Sequence, residues 1–115
     1  MPAPIVFFDI AGPDDAALAA FYSSVFDWDI GGDRRFTVAV ASELGAAIRQ
    51  DPAEKRLYIG VIDVNDCLAR IVAAGGAIDA PRFEVPGVVV LGLFRDPAGN
   101  PMGLVELDGA HPKIP

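Results

Sequence analysis

The stretch FRDPAGNPMGLVEL, from Phe94 to Leu107, joins a tight turn to a short apolar strand. Within DPAGN, the proline pre-sets its backbone angle, the glycine allows a positive φ, and Asp96 and Asn100 can bond the backbone of the turn. The apolar run MGLVEL that follows carries one acid, Glu106. The stretch therefore predicts a β-hairpin whose second strand presents a carboxylate.

The amino-terminal half of the chain has the pattern strand, helix, strand, strand. IVFFDI is rich in β-branched and aromatic residues, which favours a strand over residues 5–10. A helix follows with Asp14 or Asp15 as its N-cap, because a short carboxylate can accept the unpaired N–H groups of a first turn. RFTVAVA and GAAIRQ are two further predicted strands. Within the predicted helix that follows Asp14 and Asp15, apolar residues recur at helical spacing, namely Leu18, Phe21, Tyr22 and Val25.

The carboxy-terminal half repeats this pattern, offset by about 50 residues. LYIGVI predicts a strand, Asn65 or Asp66 an N-cap, and AGG a helix end, with VVVLGLF and MGLVEL as late strands. Each half has one helix, which is too few to cover both faces of its strands. One face of the sheet is therefore expected to pack on helices and the other to enclose a cleft. The apolar stripe of the second helix is Leu68, Ile71 and Val72.

Length and composition predict one globular domain over residues 1–115. The chain is 52 % hydrophobic and 22 % charged, which is typical of a compact protein. The repeat divides it into module one, about residues 1–52, module two, about residues 53–110, and a short tail at residues 111–115.

The charge of the chain bears on its partners. Nine Lys and Arg against sixteen Asp and Glu give a net charge of −7, and no basic cluster is present for binding a nucleic-acid backbone. An acidic surface suits a cationic ligand. No apolar run approaches the roughly 20 residues of a membrane span, and no signal peptide is evident, so a cytoplasmic protein without a membrane partner is expected. Cys67 is the single cysteine, which excludes an internal disulfide and predicts a buried, reduced thiol.

Three segments together resemble the glyoxalase / bleomycin-resistance / extradiol-dioxygenase group, the vicinal oxygen chelate superfamily. They are DDAALAAFYSSVFDW, DVNDCLARIVAAGGAI and VPGVVVLGLFRDPAGNPMGLVEL, in that order along nearly the whole chain. The resemblance implies an α+β fold of two βαβββ modules that form a partly open, mixed barrel of roughly eight strands. It also implies a homodimer. Because related enzymes and drug-binding proteins share the fold, the function has to be argued from the site.

The resemblance implies four strand positions for metal ligands in the metal-dependent members, and these fall at Phe7, Gln50, Tyr58 and Glu106. A catalytic divalent ion needs about three His, Glu or Asp ligands. Phe7 has no lone pair, Tyr58 is a phenol and so a poor ligand at neutral pH, and Gln50 offers a weak carbonyl. The only histidine, His111, lies in the tail. The sequence therefore predicts no metal and no cofactor.

One further acid shares the predicted cleft. Asp9 lies two residues from Phe7, so strand alternation places both on one face. Asp9, Gln50 and Glu106 form an alternative, oxygen-only site for a hard metal ion. The predicted ligand-binding residues are accordingly Phe7, Asp9, Gln50, Tyr58 and Glu106, with apolar neighbours at Ile5, Ile48, Gly60 and Leu104.

Glu106 is the best candidate for a catalytic residue. An acid between apolar walls is expected to have a pKa raised by desolvation, which suits acid–base chemistry. Three functions stay open at this point. The preferred one is a metal-independent protein that binds a small molecule, for instance a cation, in the barrel cleft. The alternatives are a glyoxalase-like lyase or isomerase that uses Glu106 with or without a divalent metal, and a structural domain whose barrel is filled by its own side chains.

Overall fold

The computed structural model describes residues 5–40 and 43–115. Within these residues there are two helices and five strands. In chain order they are α1 (Asp15–Phe26), β1 (Leu57–Val61), α2 (Val64–Ala73), β2 (Ala77–Val85), β3 (Val89–Arg95), β4 (Pro101–Asp108) and β5 (His111–Pro112). Neither helix is long and apolar enough to cross a membrane.

The strands form one mixed sheet with the order β1-β4-β3-β2, and the short β5 pairs with β4. β1 runs parallel to β4, and the other pairs are antiparallel. The side chains of both helices form one core cluster with the residues of β3 and β4 that point toward them. The sheet is thus covered by helices on one face and is not closed into a barrel.

Helix α1 forms as its sequence predicts. Asp14 is the N-cap, and its Oδ1 accepts a hydrogen bond from the backbone N–H of Ala17 at 3.0 Å. The helix ends at Asp27, whose left-handed backbone (φ 57°) lets its N–H reach the carbonyl of Ser23. The four residues of the predicted apolar stripe are all buried, namely Leu18, Phe21, Tyr22 and Val25.

The N-cap of helix α2 lies two or three residues before the predicted caps. Its N-cap is Asp63, whose Oδ1 accepts from the N–H of Asp66 at 3.0 Å. The prediction of Asn65 or Asp66 is therefore wrong, because both lie inside the first turn. Of the predicted stripe, Leu68 and Ile71 are buried and Val72 is half exposed. The helix ends before Gly75, whose φ of 99° is positive, as predicted for a glycine at this helix end.

The core lies between the helices and one face of the sheet. Val90, Phe94, Met102 and Leu104 alternate along β3 and β4 and are buried on that face. Gly92 lets α2 approach, because a Cβ there would lie 2.7 Å from a methyl group of α2. Phe21 and Tyr22 of α1 belong to the core, and Phe26 and Trp28 pack against it.

The turn DPAGN has the predicted structure and also joins the two halves of the chain. Oδ1 of Asp96 accepts from the backbone N–H groups of Ala98 and Asn100, both at 2.9 Å. Oδ2 accepts from the hydroxyl of Tyr22 at 2.9 Å and from the side-chain amide of Asn100 at 2.8 Å. That amide also donates to the carbonyl of Ala11. Burial, and then the Asp96 charge, hold the pKa of Tyr22 well above its ordinary value.

The strands predicted for module one do not form in the described part of the chain. Residues 5–40 and 43–56 contain α1 and no strand, and the predicted strand RFTVAVA ends at residue 41, outside the described residues. Ile5, Val6 and Phe7 are exposed by 76 %, 86 % and 67 %. A strand needs a partner, and the outer strands β1 and β2 pair with neither of these segments. The fold is α+β with an open, five-stranded sheet, and the eight-stranded barrel is not confirmed.

Candidate functional site

Glu106 lies on the helix-facing side of the sheet, where both its carboxylate oxygens are occupied. Oε2 accepts from the backbone N–H of Val64, in the first turn of α2, at 3.0 Å. Arg82 donates to both oxygens, from Nε at 3.0 Å and from Nη2 at 2.9 Å. Nζ of Lys113 lies 3.6 Å from Oε1. The carboxylate therefore joins β4 to β2, to α2 and to the tail.

These contacts lower the pKa of Glu106 to about 2. The hydrogen bonds from Arg82 are the largest cause, and the Val64 N–H and the charges of Arg82 and Lys113 add to it, while burial opposes them. The predicted rise in this pKa is wrong, because the sequence pattern showed the apolar neighbours on β4 but not the guanidinium that β2 brings. Glu106 stays ionised at neutral pH, so it has no proton to donate as a general acid.

Within residues 5–40 and 43–115, no helix covers the other face of the sheet. Gly103 points to this face, and the strand register places it beside Tyr58 on β1 and Leu93 on β3. The Tyr58 ring occupies the space that a side chain at Gly103 would need. The ring is 46 % exposed. Because residues alternate between faces along β4, Tyr58 and Glu106 lie on opposite sides of the sheet.

This open face and the loop at residues 49–56 enclose a groove of about 340 Å³. Its floor consists of Tyr58 from β1, Leu91 and Leu93 from β3, and Phe83 from β2. Phe83 is 38 % exposed, and the two leucines are partly buried. The floor is thus apolar and accessible, and its residues come from three different strands.

The rim of the groove is charged but balanced. Arg49 bonds Asp51 and lies 2.9 Å from Glu54, and Nε of Arg56 donates to the same Glu54 oxygen at 3.1 Å. Arg56 is nearly buried and also donates to the carbonyl of Met102 at 2.8 Å. Hydrogen bonds from Arg56, and then from Arg49, lower the pKa of Glu54. Two guanidinium groups and two carboxylates therefore neutralise one another at this edge of an acidic protein.

The five predicted site residues do not converge on one cleft. Tyr58 lines the groove, and Gln50 is an exposed residue of the loop that forms its wall. Phe7 and Asp9 are exposed, because the alternate residues Phe8 and Ile10 are the ones that turn inward. Glu106 lies on the opposite face. The predicted lining residue Leu104 is also misplaced, since it is fully buried under the helices.

The donor atoms of the described residues do not fit a divalent ion. Nowhere in residues 5–40 and 43–115 do three or more His, Cys, Asp or Glu side chains come together as a metal site requires. The alternative oxygen-only set of Asp9, Gln50 and Glu106 does not offer three available ligands, because both carboxylate oxygens of Glu106 accept hydrogen bonds from Arg82. His111 is exposed on β5. No chemistry is therefore assigned through a metal.

Sequence reasoning missed Arg82 and the β2 and β3 side of the groove. The segment AIDAPRFEV was not predicted as a strand, because its proline and charged residues obscure the pattern. The available signal was weak but real. Arg82 and Glu106 have opposite charges on β2 and β4, the two strands that flank β3, and Phe83 follows Arg82 along β2 and so points to the other face.

The fold and the groove define an α+β protein with one helix-covered sheet face and an open apolar groove on the other. Residues 5–105 match the family model described as Glyoxalase-like domain. The chain belongs to this family, within the glyoxalase / bleomycin-resistance / dioxygenase group.

The chain is also similar to part of a longer curated protein. The anthracycline biosynthesis protein DnrV of Streptomyces peucetius is 27 % identical over 123 residues, covering 85 % of this chain and 45 % of DnrV. The chain thus spans less than half the length of this relative.

Solved structures show the same fold at low sequence identity. A glyoxalase-related enzyme from Fulvimarina pelagi superposes with a TM-score of 0.64 at 23 % identity, covering 92 % of both chains. A glyoxalase / bleomycin-resistance protein / dioxygenase family enzyme from Burkholderia phytofirmans gives a TM-score of 0.64 at 16 % identity, covering 83 % of this chain and 91 % of that one.

Proposed function

We propose that this chain is a metal-independent member of the family that binds a small molecule in the groove on the open face of the sheet. The observation that carries the proposal is the accessible floor of Tyr58, Phe83, Leu91 and Leu93 in a groove of about 340 Å³. Apolar and aromatic walls with a few polar groups at the edge are what small-molecule sites commonly have.

The binding function has better support than catalysis through Glu106. A carboxylate that accepts three hydrogen bonds on the helix-covered face cannot reach a molecule in the groove. We therefore assign Glu106 to the stability of the fold and Tyr58, with the loop around Gln50, to the ligand. The open groove also favours binding over a domain filled by its own side chains.

A ligand screen by thermal shift tests this proposal. Compounds that raise the Tm of the wild-type protein are titrated by isothermal calorimetry against Phe83→Ala and Leu91→Ala. Each variant is expected to weaken binding at least tenfold, because it removes apolar area from the floor. Ile62→Ala is the matched control, since Ile62 is 71 % exposed and lies outside the groove. Ligands that bind all four proteins equally would place the site elsewhere.

We also propose that the protein is a homodimer in which a second copy pairs with the amino-terminal segment. Ile5, Val6 and Phe7 are exposed apolar residues in a β-prone segment, and β1 lies at the edge of the sheet that the described residues form. Such pairing would supply strands toward the barrel that the family resemblance implies. Sedimentation velocity is expected to show a dimer that Val6→Lys dissociates, and a monomer at micromolar concentration would refute this arrangement.

A further inference from the structure

We infer that Tyr58, lying across β4 at Gly103, is a stacking platform and that the groove selects an uncharged, planar aromatic molecule. The inference rests on the proposed function, since it names the class of ligand for the same groove. Three features carry it: the position of the ring, the shape of the floor and the pairing of the charges.

The position of the Tyr58 ring depends on the absence of a side chain at residue 103. The ring atoms Cδ2 and Cε2 occupy the space where a Cβ would stand. A ring that lies across a strand buries one part of its surface on the backbone and leaves the rest to solvent. The 46 % exposure of Tyr58 agrees with this arrangement. The groove therefore offers aromatic surface that no residue of the described chain covers.

The floor extends the platform across the sheet. Tyr58 is on β1 and Phe83 on β2, at opposite ends of the order β1-β4-β3-β2. Three strand spacings of about 4.8 Å separate these strands by roughly 14 Å. Leu91 and Leu93 on β3 lie between the two aromatic residues. A flat fused-ring molecule can contact all four side chains at once, whereas a bulky, branched one cannot.

The charged rim disfavours a ligand that carries a charge of its own. Arg49 holds Asp51 and Glu54, and Arg56 shares Glu54. A cation would have to compete with an arginine for one of these acids, and an anion would have to displace an acid from an arginine. Breaking an exposed pair of this kind weakens binding about fivefold. An uncharged molecule disturbs none of them. The cation expected from the net charge of the chain is thus not what the groove favours.

Three naphthalene probes that differ in charge test the inference with the full chain at neutral pH. They are 2-naphthol, 2-naphthoate and 2-naphthylmethylammonium, titrated by fluorescence. Wild type is expected to bind 2-naphthol more tightly than either charged probe, by up to about fivefold. Tyr58→Leu keeps an apolar side chain but loses the aromatic face, and it is expected to weaken 2-naphthol binding up to about tenfold.

Gly103→Ala provides the sharper test, because it removes no atom that touches the ligand. The new Cβ displaces the Tyr58 ring, so the affinity for 2-naphthol is expected to fall as far as in Tyr58→Leu. Gly32→Ala is the matched control, since a Cβ at Gly32 meets nothing within 4 Å. Circular dichroism and the Tm of each variant show whether it is folded, and Tyr58→Leu decides the result if Gly103→Ala is not.

Several outcomes would overturn the inference: a charged probe that binds most tightly, an unchanged affinity in Tyr58→Leu, or no binding of any probe. If other compounds from the screen bind in a manner that depends on Phe83 and Leu91, the proposed function stands and only the ligand class is wrong. If nothing binds in a manner that depends on these residues, both proposals fail.

Discussion

Replacing Glu106 by glutamine tests whether this carboxylate stabilises the fold. The substitution keeps the size of the side chain and one oxygen that can accept from the N–H of Val64. It removes the charge that faces Arg82 and Lys113 and leaves the guanidinium of Arg82 without its partner at 2.9 Å. The variant is therefore expected to fold with reduced stability at neutral pH.

The pKa of the carboxyl sets the size of the effect. The difference between the ordinary value of 4.5 and about 2 corresponds to about 3 kcal/mol of free energy of unfolding at neutral pH. The side chain of Glu106 is only 8 % exposed, but that of Arg82 is 25 % exposed, so solvent screens part of the interaction. We expect Glu106→Gln to lower the free energy of unfolding by about 2 kcal/mol.

The pH dependence has a definite sign. The pKa is lower in the folded state, so the stabilisation is fully present above the ordinary value of 4.5 and is lost as the pH falls toward about 2. Glutamine does not titrate in this window. The gap in stability between wild type and Glu106→Gln is therefore expected to be widest near neutral pH and to narrow steadily below about pH 4.5.

Urea denaturation near pH 7 and near pH 3, followed by circular dichroism, measures both quantities. Glu84→Gln is the matched control, because Glu84 is also near Arg82, at 3.8 Å, but is half exposed. It is expected to change the free energy of unfolding by less than about 0.5 kcal/mol. If Glu106→Gln costs no more than Glu84→Gln, or if the gap stays constant with pH, the structural role assigned to Glu106 is wrong.

Three further predictions concern the core. Tyr22→Phe removes the hydroxyl that donates to Asp96 and is expected to cost about 1–2 kcal/mol in urea denaturation; an unchanged midpoint would mean that this bond contributes nothing. Gly92→Ala places a methyl group 2.7 Å from α2 and is expected to cost about 1–3 kcal/mol, against less than about 0.5 for Gly32→Ala; equal Tm values for the two variants would contradict the close packing. Burial raises the pKa of Cys67 to about 11, so labelling by a thiol reagent at neutral pH is expected only at the rate of unfolding; immediate labelling of the native protein would show that the thiol is accessible.

The features that were predicted correctly are those fixed by neighbours in sequence. The stripe of α1 and its cap at Asp14 depend on residues within one or two helical turns. The turn from Asp96 to Asn100 depends on five consecutive residues, and the side chain of Asp96 bonds the backbone of the turn as predicted, whereas that of Asn100 bonds Asp96 and Ala11 instead. What the sequence did not reveal is that the same Asp96 also binds Tyr22, since this contact spans 74 residues.

The site was only partly predictable, because strand alternation shows which residues share a face of the sheet but not which way that face points. The pattern correctly groups Leu104 and Glu106 on one face of β4, but it does not state which face the helices cover. The prediction that Leu104 and Glu106 line the cleft therefore assigned both to the wrong face of β4. Tyr58 lies on the open side, and Phe83 was missed because β2 was not recognised.

The amino-terminal strands failed for a different reason. IVFFDI has the composition of a strand, but a strand exists only where another chain segment offers its backbone groups. Composition indicates a tendency to form a strand but does not identify the segment that would pair with it. The segment GAAIRQ, which was also predicted to be a strand, does not form one either, and residues 43–50 are all exposed.

The shared core has a consequence for dividing the chain. The repeat suggests a boundary near residue 52, yet α1 lies before it and contributes Leu18, Phe21, Tyr22 and Val25 to a core whose sheet lies entirely after it. A fragment that starts at residue 53 would keep every strand but expose Phe94 and leave the carboxylate of Asp96 without its tyrosine. Within the described residues the two parts of the chain thus share one core, and each part buries apolar side chains that belong to the other.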